Sequence, residues 1–188
     1  MPDGSRTPPG PSSAILTLPN LITVARLCAV PAAIYLVLHG LFPEAFWLFL
    51  GAGVSDAIDG WLARRRGPTY VGAVLDPVAD KALLVAMYVV LAVVHVLPDW
   101  LAILVVFRDV LIVGGVLVLN MLGQPPAIRP LLVSKLNTVL QIALVAVALL
   151  LAGFGRHADM ILEVLIWAVA GTTLISGGAY VIRAGRRP

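Results

Sequence analysis

The sequence predicts an all-α integral membrane protein: six transmembrane helices in one compact bundle, with both termini in the cytoplasm. Three observations lead there. Apolar residues make up 60% of the 188-residue chain and charged residues only 12%, with a mean hydropathy of +0.99, far from the composition of a soluble domain of this length. The apolar residues fall into six runs of the ~20 residues needed to cross a bilayer's hydrocarbon core. The basic residues, finally, collect on alternate loops.

Residues 1–16 form a Pro-, Gly- and Ser-rich polar start that cannot bury enough apolar area to order itself. It is expected to be a disordered tail ahead of a membrane domain spanning 17–188. No short apolar region with a small-residue cleavage site follows it, so it does not read as a signal peptide. The first span is Leu18 to Leu38. Pro19 suits a first helical turn, where its missing donor is not needed, and Asn20 and Thr23 suit capping or packing near that start. Cys28, the single cysteine, excludes an intrachain disulfide and is expected to pack as a small apolar residue. Pro31 here, and Pro77 in the third span, are expected to kink their helices.

The second span, Phe42 to Arg64, and the third, Val71 to Val94, flank a turn at Gly67-Pro68-Thr69-Tyr70. The fourth to sixth are Trp100 to Leu119, Leu132 to Leu151 and Met160 to Val181. With the N-terminus inside, the inner loops hold Arg6, Arg64, Arg65, Arg66, Arg129, Arg183, Arg186 and Arg187, and the outer loops only Arg156. This asymmetry sets the orientation. It also accounts for the pI of about 9.4 without any nucleic-acid partner.

Against so little charge, four aspartates within twenty-five residues stand out: Asp56, Asp59, Asp76 and Asp80. A carboxylate at bilayer depth costs roughly 2.5–3.5 kcal/mol on insertion scales, so four together need a strong partner. Asp56 and Asp59 are three apart and Asp76 and Asp80 four apart, so each pair shares a helix face. Two antiparallel helices joined by a short turn can bring those faces together near the inner membrane surface. Such a site suits a hard divalent cation, Mg2+ or Mn2+, that keeps positions open for substrate phosphates. His39, His95 and His157 fall in or near the outer loops, so zinc is not indicated. Small residues beside the carboxylates, Gly60, Ala63 and Gly72, fit ordinary helix packing. They would also admit a phosphate-bearing ligand to the backbone.

The pattern Asp56-x2-Asp59-Gly60-x2-Ala63-Arg64-x7-Gly72-x3-Asp76-x3-Asp80 resembles the signature of the CDP-alcohol phosphotransferase family, integral membrane enzymes of six helices. The family most often has eight residues between the arginine and the second glycine, where this chain has seven. Leu18-Pro19-Asn20-Leu21-Ile22-Thr23-Val24-Ala25-Arg26 is similar to the first-helix opening of the branch containing phosphatidylglycerophosphate and cardiolipin synthases. Phe107-Arg108-Asp109-Val110 and the stretch from Val133 to Gln141 look most like the CMP-forming cardiolipin synthases. The resemblance covers about Leu18 to Leu151.

The resemblance implies transfer of a phosphatidyl group from CDP-diacylglycerol to a hydroxyl, with CMP released. The acceptor would be phosphatidylglycerol, giving cardiolipin, or alternatively glycerol 3-phosphate. Asp56, Asp59, Asp76 and Asp80 would hold two metal ions, with Asp80 also the general base. Asp56, Gly60, Ala63, Arg64, Gly72, Asn20 and Thr23 would line the CDP site. The resemblance also suggests a homodimer and a bacterial inner or plasma membrane, with the active site on the cytoplasmic side.

On the acceptor side, Lys135, Arg108 and Arg129 are candidates to hold a phosphate. Arg108 beside Asp109 equally fits a structural ion pair, and Arg129 fits an ordinary positive-inside residue. Lys81 follows Asp80 directly and so points to a different helix face, which suits a structural partner or snorkelling to the interface more than contact with substrate. Carboxylates inside membranes also build transporter pathways, but those are distributed through the membrane thickness and usually accompany repeated spans. Neither feature is present in this sequence.

Overall fold

The computed structural model describes residues 18–66, 70–121, 132–155 and 160–185, and side chains over 25–55, 81–115, 133–155 and 160–179. The described residues form six α-helices and no strand: α1 (Leu18–Leu38), α2 (Phe42–Arg66), α3 (Tyr70–Val93), α4 (Asp99–Met121), α5 (Leu132–Gly153) and α6 (Met160–Gly185). Each expected span has its helix. Several run past the apolar window into flanking polar residues, as α2 does through Arg65 and Arg66 and α6 does through Arg183. Hydropathy marks where lipid begins, whereas a helix stops only where its backbone bonding stops. α1 continues unbroken through Pro31 and α3 through Pro77.

Among the described residues, two tight turns reverse the chain. After α1, Leu41 N–H donates to Leu36 C=O at 2.9 Å and Gly40 N–H to Val37 C=O at 3.0 Å. That is the paired bonding of a Schellman cap, and it requires the left-handed φ of +73° at Gly40. The end of α3 makes the same turn with Val96 N–H on Leu91 C=O at 2.9 Å. There the left-handed position is His95, at φ +58°, a conformation that a residue with a Cβ adopts less readily.

α1 packs against both α2 and α3; α3 continues to α4, α4 to α6, α6 to α5, and α5 returns to α2 while also touching α3. The buried apolar core lies where Val37, Met87, Leu91, Leu101, Val105, Leu144 and Leu149 meet. Outside, the pattern of a soluble protein is inverted. Ile103, Phe107, Val110 and Val113 on α4, and Val164, Trp167, Leu174 and Ile175 on α6, are each more than 60% exposed. Apolar faces of that extent mark surfaces that meet lipid or another protein. Cys28 is exposed as well, so it does not fill the packing role expected of it. Two stretches, Val133–Gly153 and Met160–Ala179, are long and apolar enough to cross a membrane by length and composition, and Ala25–Leu38 and Lys81–Val93 are shorter apolar runs.

Candidate active site

Alternating helix direction brings the ends of α2, α4 and α6 together with the starts of α1, α3 and α5. At this end the core changes character. Of the buried polar residues, Arg26, Asn137, Gln141, Thr173 and Ser176 lie in this half of their helices, and Arg108 and Asp109 lie at the middle of α4. The last turns of α2, carrying Asp56, Asp59, Gly60, Ala63 and Arg64, belong to the same end, as do the first turns of α3, with Gly72, Asp76 and Asp80. Asn20 and Thr23 sit at the start of α1. The side chains of these ten positions, and all of Arg129, lie outside the described residues.

What is described beside them is an ion-pair network that ties four helices together. Lys81, the residue after Asp80, donates from Nζ to Asp109 Oδ2 at 2.8 Å. The other carboxylate oxygen of Asp109 accepts from Arg108 Nη1 at 2.6 Å. Arg108 Nη2 then reaches Ser134 Oγ on α5 at 2.7 Å and Ser176 Oγ on α6 at 2.8 Å. Two cations thus share one carboxylate. Arg108 and Asp109 have side chains only 5% and 8% exposed, while Lys81 remains 37% exposed. At such burial a lone charge would be prohibitive, and the pairing and hydroxyl contacts are what make it tolerable. Arg108, expected as an acceptor ligand or as part of an ion pair, is engaged as the ion pair, although its Nε has no hydrogen-bond partner. Lys135, one residue from Ser134, is exposed.

One turn deeper on α5, Asn137 Oδ1 accepts from Thr172 Oγ1 at 2.8 Å and Thr173 Oγ1 at 3.0 Å. Its Nδ2, and both polar atoms of the Gln141 side chain, are buried with no partner. Sequence reasoning passed over these residues. The signal was available: Ser134, Asn137, Thr138 and Gln141 repeat at helical spacing along one stripe of an otherwise apolar helix. Such a stripe faces protein, because lipid cannot satisfy it.

The donor chemistry of the aspartates fits a divalent ion. Four hard oxygen ligands come as two intrahelical pairs, with no sulfur or imidazole nearby in sequence. Among the described residues no other group of three or more His, Cys, Asp or Glu could hold a metal.

The family model described as CDP-alcohol phosphatidyltransferase matches residues 16–175, which include the whole aspartate pattern. The chain belongs to this family. It is 35% identical over 193 residues to CDP-diacylglycerol–glycerol-3-phosphate 3-phosphatidyltransferase 1, chloroplastic, of Oryza sativa subsp. japonica, covering 93% of this chain and 59% of that protein. It is 34% identical over 183 residues to a cardiolipin synthase (CMP-forming) of Streptomyces coelicolor, covering 92% and 84%. With the Homo sapiens cardiolipin synthase (CMP-forming) the identity is 30% over 182 residues, covering 87% and 60%. The chain therefore spans 59% and 60% of the length of the rice and human relatives. CDP-alcohol phosphatidyltransferases are in general dependent on a divalent metal.

Proposed function

We propose that this chain is a metal-dependent phosphatidyltransferase of phospholipid synthesis, moving the phosphatidyl group of CDP-diacylglycerol to a lipid hydroxyl and releasing CMP. The observation that carries this reading is the eight-residue pattern from Asp56 to Asp80, lying inside the family match. Phosphatidylglycerol is the acceptor and cardiolipin the product. This choice is supported by the Phe107-Arg108-Asp109 and Val133-to-Gln141 stretches and by the Streptomyces coelicolor relative, of which the chain covers 84%. Glycerol 3-phosphate is the second reading, favoured by the likeness to the rice glycerol-3-phosphate 3-phosphatidyltransferase.

In this mechanism Asp56, Asp59, Asp76 and Asp80 would hold two ions, Mg2+ or Mn2+, which would supply charge neutralisation for the pyrophosphate of the donor. The chain's own residues do the rest. Gly60, Ala63 and Gly72 leave room for the CDP moiety, while Asn20, Thr23 and Arg64 border it. Asp80 takes the proton of the acceptor hydroxyl as that oxygen bonds the β-phosphorus and the bond to the CMP oxygen breaks. Lys135, exposed beside Ser134, holds the anionic headgroup, joined by Arg129 and by Arg108 if it exchanges a hydroxyl partner for phosphate.

The same reading places 17–188 as the membrane domain after a 1–16 tail. Six membrane spans, two cytoplasmic termini, a cytoplasmic-side active site, a bacterial inner or plasma membrane and a homodimer belong to the proposal. The apolar faces of α4 and α6 and the one-sided distribution of arginine support it.

The deciding experiment gives purified protein CDP-diacylglycerol with Mg2+ or Mn2+ and either labelled phosphatidylglycerol or labelled glycerol 3-phosphate, then separates the lipids. A four-chain lipid is expected. Labelled phosphatidylglycerophosphate without that product selects the second acceptor, and no CMP release with either acceptor defeats the enzyme reading.

A further inference from the structure

Lys81 directly follows the last aspartate of the pattern, and it is held from α4. Its Nζ meets Asp109 Oδ2 at 2.8 Å. Asp109 is in turn fixed by Arg108 at 2.6 Å, and Arg108 is anchored on α5 and α6 through Ser134 and Ser176. Neutralising Arg108 requires only one carboxylate and no second cation. The Lys81 contact therefore adds something else: it fastens α3 to the other three helices at the residue after Asp80.

Rotation is what that fastening controls. Side-chain tips on a helix stand about 5–6 Å from its axis, so turning α3 by about 10° would carry a carboxylate oxygen sideways by about 1 Å. Metal–oxygen distances tolerate only about 0.2 Å. Among the described α3 side chains that follow, Leu83, Leu84 and Met87 are buried apolar groups, and the next directed contact is two turns on, where the Tyr88 hydroxyl donates to the Gln141 carbonyl at 3.3 Å. Apolar packing in lipid fixes helix rotation less sharply than a directed ion pair does.

We propose that Asp109, acting through Lys81, is a positioning residue that sets the rotation of α3 and so the placement of Asp76 and Asp80 relative to Asp56 and Asp59 of α2 as ligands. This rests on the metal-dependent reading given above.

The test measures Mn2+ binding to the purified full-length protein by titration calorimetry, beside its thermal midpoint. Lys81→Met is the main variant, because it removes the strut and leaves the Arg108–Asp109 pair whole. We expect Mn2+ affinity to fall by about tenfold, the lower end for residues that orient ligands from outside the coordination sphere. Lys81→Arg, which keeps a cation within reach of Asp109, restores the affinity. Asp109→Asn, which also strips the buried Arg108 of its carboxylate, weakens binding at least as much, and adding Lys81→Met to it costs nothing further, as one shared contact requires. A lower thermal midpoint with wild-type Mn2+ affinity in Lys81→Met would make the ion pair purely structural and overturn the inference alone. Wild-type protein that neither binds Mn2+ nor releases CMP would overturn the inference together with the function it rests on.

Discussion

The two ends of the molecule solve the same packing problem with different chemistry. Where α1, α3 and α5 finish, the buried side chains are Val37, Leu91, Leu144, Val145 and Leu149, facing Leu101 and Val105 of α4 and Val169 of α6. Toward the end where those helices begin, from the middle of α4 onward, the buried set is Arg26, Arg108, Asp109, Asn137, Gln141, Thr173 and Ser176. Within lipid the apolar end gains little from leaving its surroundings, so it relies on close packing. The polar end is joined by directed bonds, each of which fixes a distance and an angle. A site that must hold phosphate and metal within tenths of an ångström belongs at the second kind of end, and the aspartate pattern lies there.

The largest effect that would break this comparison is at the aspartates. Asp56→Asn, Asp59→Asn and Asp76→Asn each remove a charged ligand from a set with no spare anion. Each is expected to lower CMP release by on the order of 10²–10³-fold or more at saturating metal, as for loss of one charge-stabilising group. The fold should survive. Near wild-type release in all three would mean that the polar end is not the reacting end.

The apolar end should give the opposite outcome. Leu144 is completely buried, so Leu144→Ala opens a cavity and is expected to cost about 2–5 kcal/mol of stability. Turnover per folded molecule stays unchanged. Thermal unfolding in detergent followed by an activity assay on the folded fraction checks both halves of that statement.

How far the sequence carried depended on the kind of signal. Helix number and order were legible, because lipid demands long apolar runs and a run is visible without any partner. The aspartates were legible because charge is conspicuous in a chain like this one. Lys81 was assigned a structural partner correctly, since adjacency to Asp80 turns it to another face. That the partner is Asp109, twenty-eight residues on, was not legible, because it depends on which helix α3 lies against. The role of Cys28 was misread for the same reason: a small apolar residue suits the core or the lipid face equally well, and only packing decides. Asn137 and Gln141 were visible in the sequence but uninterpreted, as amides carry no charge to draw attention.

A finer distinction concerns cations at the polar end that are exposed against those that are engaged. Lys135 is exposed, whereas Arg108 is bound on two sides. Lys135→Ala is expected to raise the KM for the anionic acceptor by about tenfold, leaving kcat and the KM for CDP-diacylglycerol near wild type, because a contact made equally in ground and transition states appears in KM. Equal changes for both substrates would move Lys135 out of the acceptor site. Arg108→Lys should instead lower the thermal midpoint, since an ammonium cannot span Asp109, Ser134 and Ser176 as the planar guanidinium does.

The smallest expected effect separates two amides on one helix face. Asn137 accepts from both Thr172 and Thr173, and Thr172 also has the Ala168 carbonyl at 2.8 Å, so Asn137→Leu strands the buried Thr173 hydroxyl and should cost about 1–3 kcal/mol. The side chain of Gln141 is equally buried, but its amide atoms have no partner, so Gln141→Leu removes a desolvation cost without breaking a bond. It is expected to be neutral or stabilising within about 1 kcal/mol. The Tyr88 hydroxyl, which donates to the backbone carbonyl of Gln141 at 3.3 Å, keeps its acceptor in either case. Comparing the unfolding midpoints of the two variants tests this directly. If Gln141→Leu proves as damaging as Asn137→Leu, the Gln141 amide must be bonded to water or ligand, and the polar end would extend a full turn deeper than the protein's own hydrogen bonds define.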